Sequence, residues 1–268
     1  MLESITSNLH SDLYVVYFFL YSLVGYICEV TYCSIPAKHF VNRGFLFGPY
    51  LPIYGFGAMI VLVGFSHLVL HPWAIFLTAM VSTSILEYVT SWMLQRFFNV
   101  KLWDYSKYFC NINGRVCLLN STLFGIMGLV VTYFVHPQIA TLVIKIPFEI
   151  LTRISKVIIF VMTIDATASV FKMAAFRNEL AELRQKGKMF QERLDLLKLP
   201  GSENMVATFK AKFLGDQEEL KERFRKQNRR ILDAFPSMTS ANEEVRLQLN
   251  LFKMELRSRY EKHARGDK

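Results

Sequence analysis

A chain of 268 residues that is 52% hydrophobic, with 23 Phe and a mean hydropathy of +0.26, carries more apolar surface than one soluble domain would hold. Its formal charge of +9 is unevenly spread, with nine Lys or Arg against seven Asp or Glu through Phe171 and 22 against 15 beyond it. The composition excludes a uniform globular protein and predicts an apolar half followed by a basic, polar tail.

The first twelve residues hold Glu3 and Asp12 and no Lys or Arg, unlike the basic leader of a secretory signal, so the apolar stretch that follows is expected to be retained. That stretch, Leu13 to Cys33, contains Glu29, and the loop after it contains Lys38 and Arg43. From Asn42 to Gly57 the chain has four glycines and two prolines, so no regular helix is expected before Pro52. An unwound segment lining a cavity and close helix packing through Gly55 and Gly57 both suit this composition. A second apolar stretch, Leu51 to Leu70, leads to His71-Pro72. His67 and His71 are four apart, but nothing supplies further ligands, and no metal site is expected.

The third stretch, Trp73 to Leu94, contains Glu87. After it, Gln95 to Arg115 mixes Phe97, Phe98, Trp103, Tyr105, Tyr108 and Phe109 with Lys101, Asp104 and Lys107, as an interfacial lid or amphipathic helix would. A fourth stretch runs from Val116 to Val135, and a fifth, Ile154 to Phe171, contains Asp165. Between them Lys145, Glu149, Arg153 and Lys156 recur at helical spacing; they lie either along the membrane surface or on one long fifth helix.

Each stretch holds roughly 18 to 23 residues, enough to cross about 30 Å of hydrocarbon as a helix. The expected fold is all-α, a five-span membrane bundle over residues 1–171 with a cytoplasmic helical tail over 172–268. Lys and Arg fall in the first and third loops, which the positive-inside rule places in the cytoplasm of a bacterial inner membrane, with the N-terminus outside. Lys145, Arg153 and Lys156 are the residues this orientation fits poorly.

An acid near the centre of a span costs roughly 2.5 to 3.5 kcal/mol on insertion scales, so Glu29, Glu87 and Asp165 are expected to face the bundle interior. Arg43 and Arg115, entering the next helices from the same side, are the nearest candidate cations. The five residues form either a binding cluster or a set of pairs that orients the bundle. Cys28, Cys33, Cys110 and Cys117 form no CxxC pair and read as apolar filler.

The first four stretches also suggest a parallel repeat. Glu29 precedes Asn42-Arg43-Gly44 and a helix expected to end at His71-Pro72, while Glu87 precedes Asn113-Gly114-Arg115 and a helix expected to end at His136-Pro137. In the tail, Met173, Phe176, Leu180, Leu183, Gly187, Phe190, Leu194 and Leu197 alternate three and four apart, a heptad seam of coiled-coil type. Pro200-Gly201 ends it. A second helix carries Phe213, Leu220, Phe224 and Ile231 up to Pro236, and a capping box of Ser240 and Glu243 opens a third with Val245, Leu249, Phe252 and Leu256. These helices either fold back on one another or pair with a second copy. No nucleic-acid motif accompanies their charge.

The segments VNRGFLFGPYLPIYGFGA at Val41 to Ala58, WDYS at Trp103 to Ser106 and NGRVCLLNSTLFGIMG at Asn113 to Gly128 resemble the bacterial membrane family known as putative ABC-transporter permeases. Residues matching its pattern are Glu29, Asn42, Arg43, Gly44, Gly48, Pro49, Gly55, Glu87, Trp103, Asp104, Tyr105, Asn113, Gly114, Arg115 and Asp165. The resemblance implies a transport permease within membrane lipid, without a cofactor of its own. The chain has no GxxxxGK[ST] loop, so an ATPase subunit would act in trans, and a homodimer would ease assembly of a full pathway. The rival readings are a scaffold or sensor signalling through the tail and, resting on the acids alone, a membrane enzyme acting on lipid. Without a Ser/His, Cys/His or HExxH arrangement, the chain reads as no enzyme.

Overall fold

The computed structural model describes residues 2–64, 71–196, 203–240 and 242–264. His67, Leu70, Leu197 and Pro200-Gly201 lie outside them. The described residues form seven helices, in order α1 Leu2–Ala37, α2 Pro52–Gly64, α3 Pro72–Phe98, α4 Leu118–Val143, α5 Phe148–Leu196, α6 Glu203–Ala234 and α7 Glu243–Ala264. Among the described residues there is no strand, only isolated bridges between Lys101 and Thr239 and between Ile112 and Val116. The fold is an all-α membrane bundle. Four of its helices, α1, α3, α4 and α5, are long and apolar enough to cross a membrane, while α2 is described over a shorter 13-residue stretch.

The chain divides into two compact units, residues 1–93 with 103–170, and residues 94–102 with 171–268. In the first, the usual sidedness of a soluble protein is reversed. Trp73, Leu77, Val81 and Ile85 of α3 and Phe160, Val161 and Ile164 of α5 are exposed, while Ser22, Glu87, Ser91, Ser121 and Ser155 are buried. Lipid tails match the exposed side chains, and some of the buried polar groups pair between helices. Ser84 donates to Ser121 at 2.7 Å between α3 and α4, and Thr152 donates to Asp12 at 2.7 Å between α5 and α1, with Ser155 on the other Asp12 oxygen.

Helix α4 does not end at His136-Pro137. It widens into a π-helical turn over Val131–Val135, where the His136 N–H reaches back to the Val131 carbonyl, and continues to Val143. Pro137 has no N–H to donate and its ring would crowd the preceding α-helical turn, so the wide turn lets the helix pass it. The next helix begins at Phe148 and runs unbroken for 49 residues. Residues 138–153 are thus divided between two helices, with Lys145 at the turn and Glu149, Arg153 and Lys156 on α5. The Gln95–Arg115 segment forms no amphipathic helix beyond Phe98, because Asn99, Cys110 and Asn113 take left-handed backbone angles that interrupt one.

The two proposed repeats share a local geometry. Each second helix enters a π turn 16 or 17 residues after the arginine of its loop, at Ile60–Gly64 and Val131–Val135. Each also presses a glycine onto the helix before it. A Cβ at Gly55 would run into Phe18 and Ser22 of α1, and one at Gly128 into Ala79 of α3.

In the second unit, Met173, Phe176, Leu180 and Leu183 of the predicted seam are buried. Phe176 of α5 meets Phe224 of α6 at 5.3 Å between ring centroids, and Phe224 meets Phe252 of α7 at 5.1 Å, so the three helices fold back on one another within one chain. The side chains of Phe190, Leu194 and Phe213 lie outside the described ones. Helix α7 is capped by Asn242, whose Oδ1 accepts from the Val245 N–H at 3.2 Å. Ser240, expected as the cap, instead donates to the Asn99 carbonyl at 3.1 Å.

Replacing Gly128 with Val should destabilise the first unit by about 1–3 kcal/mol through overpacking against Ala79, whereas Gly64→Ala, which meets nothing within 4 Å, should be near neutral. Thermal unfolding of the purified variants in detergent reads the difference.

Candidate functional site

The predicted acids gather around the loop between α1 and α2. Residues 38–51 are not helical, and a loop buried against membrane helices must have its donors satisfied by protein. Arg43 of this loop pairs with Glu29 of α1 at 3.2 Å, with side chains 16% and 25% exposed. Its Nε also lies 3.1 Å from Cys33 Sγ, which is 3.7 Å from the same carboxylate. The Tyr54 hydroxyl of α2 donates to the other Glu29 oxygen at 2.7 Å. Glu29 is thereby held by two elements that lie before and after the Gly-Pro segment. Asn42 accepts from the Tyr26 hydroxyl at 2.9 Å, and Val41 N–H donates to Ser34 at 3.0 Å.

Asp165 holds the far end of the same loop. Its carboxylate accepts from the Phe47 N–H at 2.8 Å, the Gly48 N–H at 2.7 Å, the Tyr50 hydroxyl at 2.6 Å and Ser169 at 3.1 Å. Two successive backbone N–H groups converge on one acid because the loop turns sharply at Gly48-Pro49. Burial and the adjoining Asp165 push the Tyr50 hydroxyl above the usual phenol range, so it remains a donor. The Leu51 N–H donates to the Ser22 carbonyl at 2.9 Å, setting α2 at its start. Gly44 has φ +122°, a conformation open to glycine and strained for other residues.

Glu87 of α3 is 5% exposed. The Tyr105 hydroxyl lies close enough for the charges of Glu87, Glu29 and Arg43 all to reach it. Burial, then Glu87, pushes that hydroxyl above its ordinary range, which keeps its proton in place. Glu87 Oε2 is buried without a hydrogen-bond partner among the described residues. Beside it lies a cavity of about 120 Å³ lined by side chains that include Tyr54, Thr83, Glu87, Phe124 and Met127.

Tyr105 reaches Glu87 from a loop built by the remaining motif residues. Asn113 and Gly114, with φ of 52° and 66°, form a two-residue turn of the type that Asn-Gly favours, closed by the Arg115 N–H on the Ile112 carbonyl at 3.0 Å. Trp103 Nε1 donates to the Arg115 carbonyl at 3.0 Å, and the Tyr105 N–H to the Gly114 carbonyl at 2.8 Å. Asp104 accepts from Ser106 N–H and hydroxyl at 3.2 and 2.7 Å.

The five expected residues differ in their direct contacts. Glu29, Arg43 and Glu87 share a centre. Asp165 accepts hydrogen bonds from the loop and from Ser169, and the Arg115 guanidinium lies over the Tyr88 ring, 5.1 Å from its centroid, with Nη1 3.4 Å from the Tyr88 hydroxyl. Cys33, expected as apolar filler, instead stands between Arg43 and Glu29, and Tyr50, Tyr54 and Tyr88 carry no expectation from the sequence. The two phenols of Tyr50 and Tyr54 stand in the quoted loop motif, where a hydroxyl near buried carboxylates was the available signal.

A family profile described as "Putative ABC-transporter type IV" matches residues 16–170, which contain every residue of this site. Comparison with curated proteins and with solved structures finds no match.

Arg43→Ala alone should cost more than it does in a Glu29→Gln background, because the single change leaves a half-buried carboxylate without its cation. A coupling of at least about 1 kcal/mol is expected in a double-mutant cycle read by unfolding in detergent. Additive effects would show that the pair is not an energetic unit.

Proposed function

We propose, because the chain belongs to the family described as Putative ABC-transporter type IV, that it is the membrane permease subunit of an ABC-type transporter, with ATP hydrolysis supplied by a separate subunit. The observation that supports this reading best is the buried Glu87 beside a cavity inside a bundle with an apolar exterior. A carboxyl group is costly to insert, and a set of acids that only oriented helices would need no space next to it. A second copy of the chain completes the pathway, since few helices are available to enclose one. The N-terminus lies outside a bacterial inner membrane and the tail in the cytoplasm, following the Lys and Arg bias of the loops. On this orientation the 99–117 loop and the tail face the ATPase.

Lysine crosslinking in native membranes, followed by mass spectrometry, tests both parts. The expected result is an ATPase subunit joined through Lys101, Lys107 or tail lysines. Capture through Lys145 instead would overturn the orientation, and the absence of any ATPase would overturn the transporter reading.

A further inference from the structure

The cavity beside Glu87 has a chemistry of its own. Val24, Val61, Leu86, Phe124 and Met127 make most of its wall apolar, and among the residues that line it there is no Lys, Arg or His. Glu87 is its single carboxylic acid. Arg43 is engaged by Glu29, and no residue lining the cavity offers Glu87 a cation. An uncompensated buried charge is costly, and Glu87 Oε2 lacks a hydrogen-bond partner among the described residues. Tyr54 and Phe124, whose rings meet edge to face at 6.2 Å, add aromatic surface that attracts cations.

From these features we propose that the cavity binds a small organic cation, an ammonium group carried on an apolar body, with the ammonium donating to Glu87 and the body against Phe124 and Met127. The inference rests on the transporter reading and gives its substrate class. The cavity of about 120 Å³ sets the size, since a comparable engineered cavity of about 150 Å³ admits benzene. An anion is disfavoured by the unpaired acid. A neutral apolar molecule would fill the space and leave the Oε2 partner missing.

Equilibrium binding of benzylammonium to the full chain in nanodiscs, compared with neutral benzyl alcohol and with empty nanodiscs, tests this directly. Benzylammonium should bind at least about tenfold more tightly than the alcohol, and Glu87→Gln should remove that preference while leaving alcohol binding in place. Ala58→Leu, which narrows the cavity without altering charge, should weaken both; it decides the matter if the Gln variant is not recovered folded. Equal binding of the two molecules, no binding, or a preference that survives Glu87→Gln or binding untouched by Ala58→Leu would overturn the proposal. An ATPase captured by crosslinking, with no benzylammonium binding, removes the substrate class and leaves the transporter reading. Binding without an ATPase does the reverse.

Discussion

The non-helical segment 38–51 is the constraint on which the membrane unit depends. Backbone outside a helix is tolerated at membrane depth only where protein meets its hydrogen-bonding groups, and here Ser34 accepts the Val41 N–H, Asp165 those of Phe47 and Gly48, and the Ser22 carbonyl that of Leu51. Arg43 ties the first part to α1, and Phe47, Gly48 and Tyr50 tie the last part to α5. The same anchoring fixes where α2 begins, because Leu51 donates to Ser22 of α1 immediately before Pro52. Asp165, which looks expensive in a span, is thus an acceptor for the loop backbone, and Glu29 holds the loop by its Arg43 side chain.

The paired design of the first four helices follows from similar needs. In each half a loop arginine precedes a helix that packs by a glycine and then widens into a π turn. The halves diverge in their arginines. Arg43 neutralises Glu29, whereas Arg115 takes the face of Tyr88, the neighbour of Glu87 in sequence. One half thus has a charge pair where the other has a cation over an aromatic ring, and Glu87 lines the cavity.

Much of this was legible from the apolar periodicity. Three spans with an acid, the interruption before Pro52, and the buried seam of Met173, Phe176, Leu180 and Leu183 follow from length, Gly and Pro placement and heptad spacing. Helix continuation past Pro137 was not legible, because a single π turn leaves no mark in hydropathy. The partition of the acids was hidden too: depth along a helix can be counted from sequence, but the direction a side chain faces depends on how the helices rotate when packed. Asp165 and Glu29 both suggest an arginine partner, and only one has Arg43. Tyr105 stands in the WDYS motif, but its approach to Glu87 was hidden within an aromatic loop whose composition suited the membrane interface equally well.

The central claim, that Glu87 stands beside a cavity inside the bundle that a small cation can enter, is tested most directly by thiol accessibility in native membranes, with the four native cysteines replaced by serine. Thr83 lines the cavity and Ile85, two residues on, is exposed on the apolar exterior. A small cationic methanethiosulfonate should modify Thr83→Cys and leave Ile85→Cys largely unreactive, because a thiol needs a polar surrounding to ionise. A Thr83→Cys thiol as inert as that of Ile85→Cys, or the opposite order of reactivity, would contradict the account.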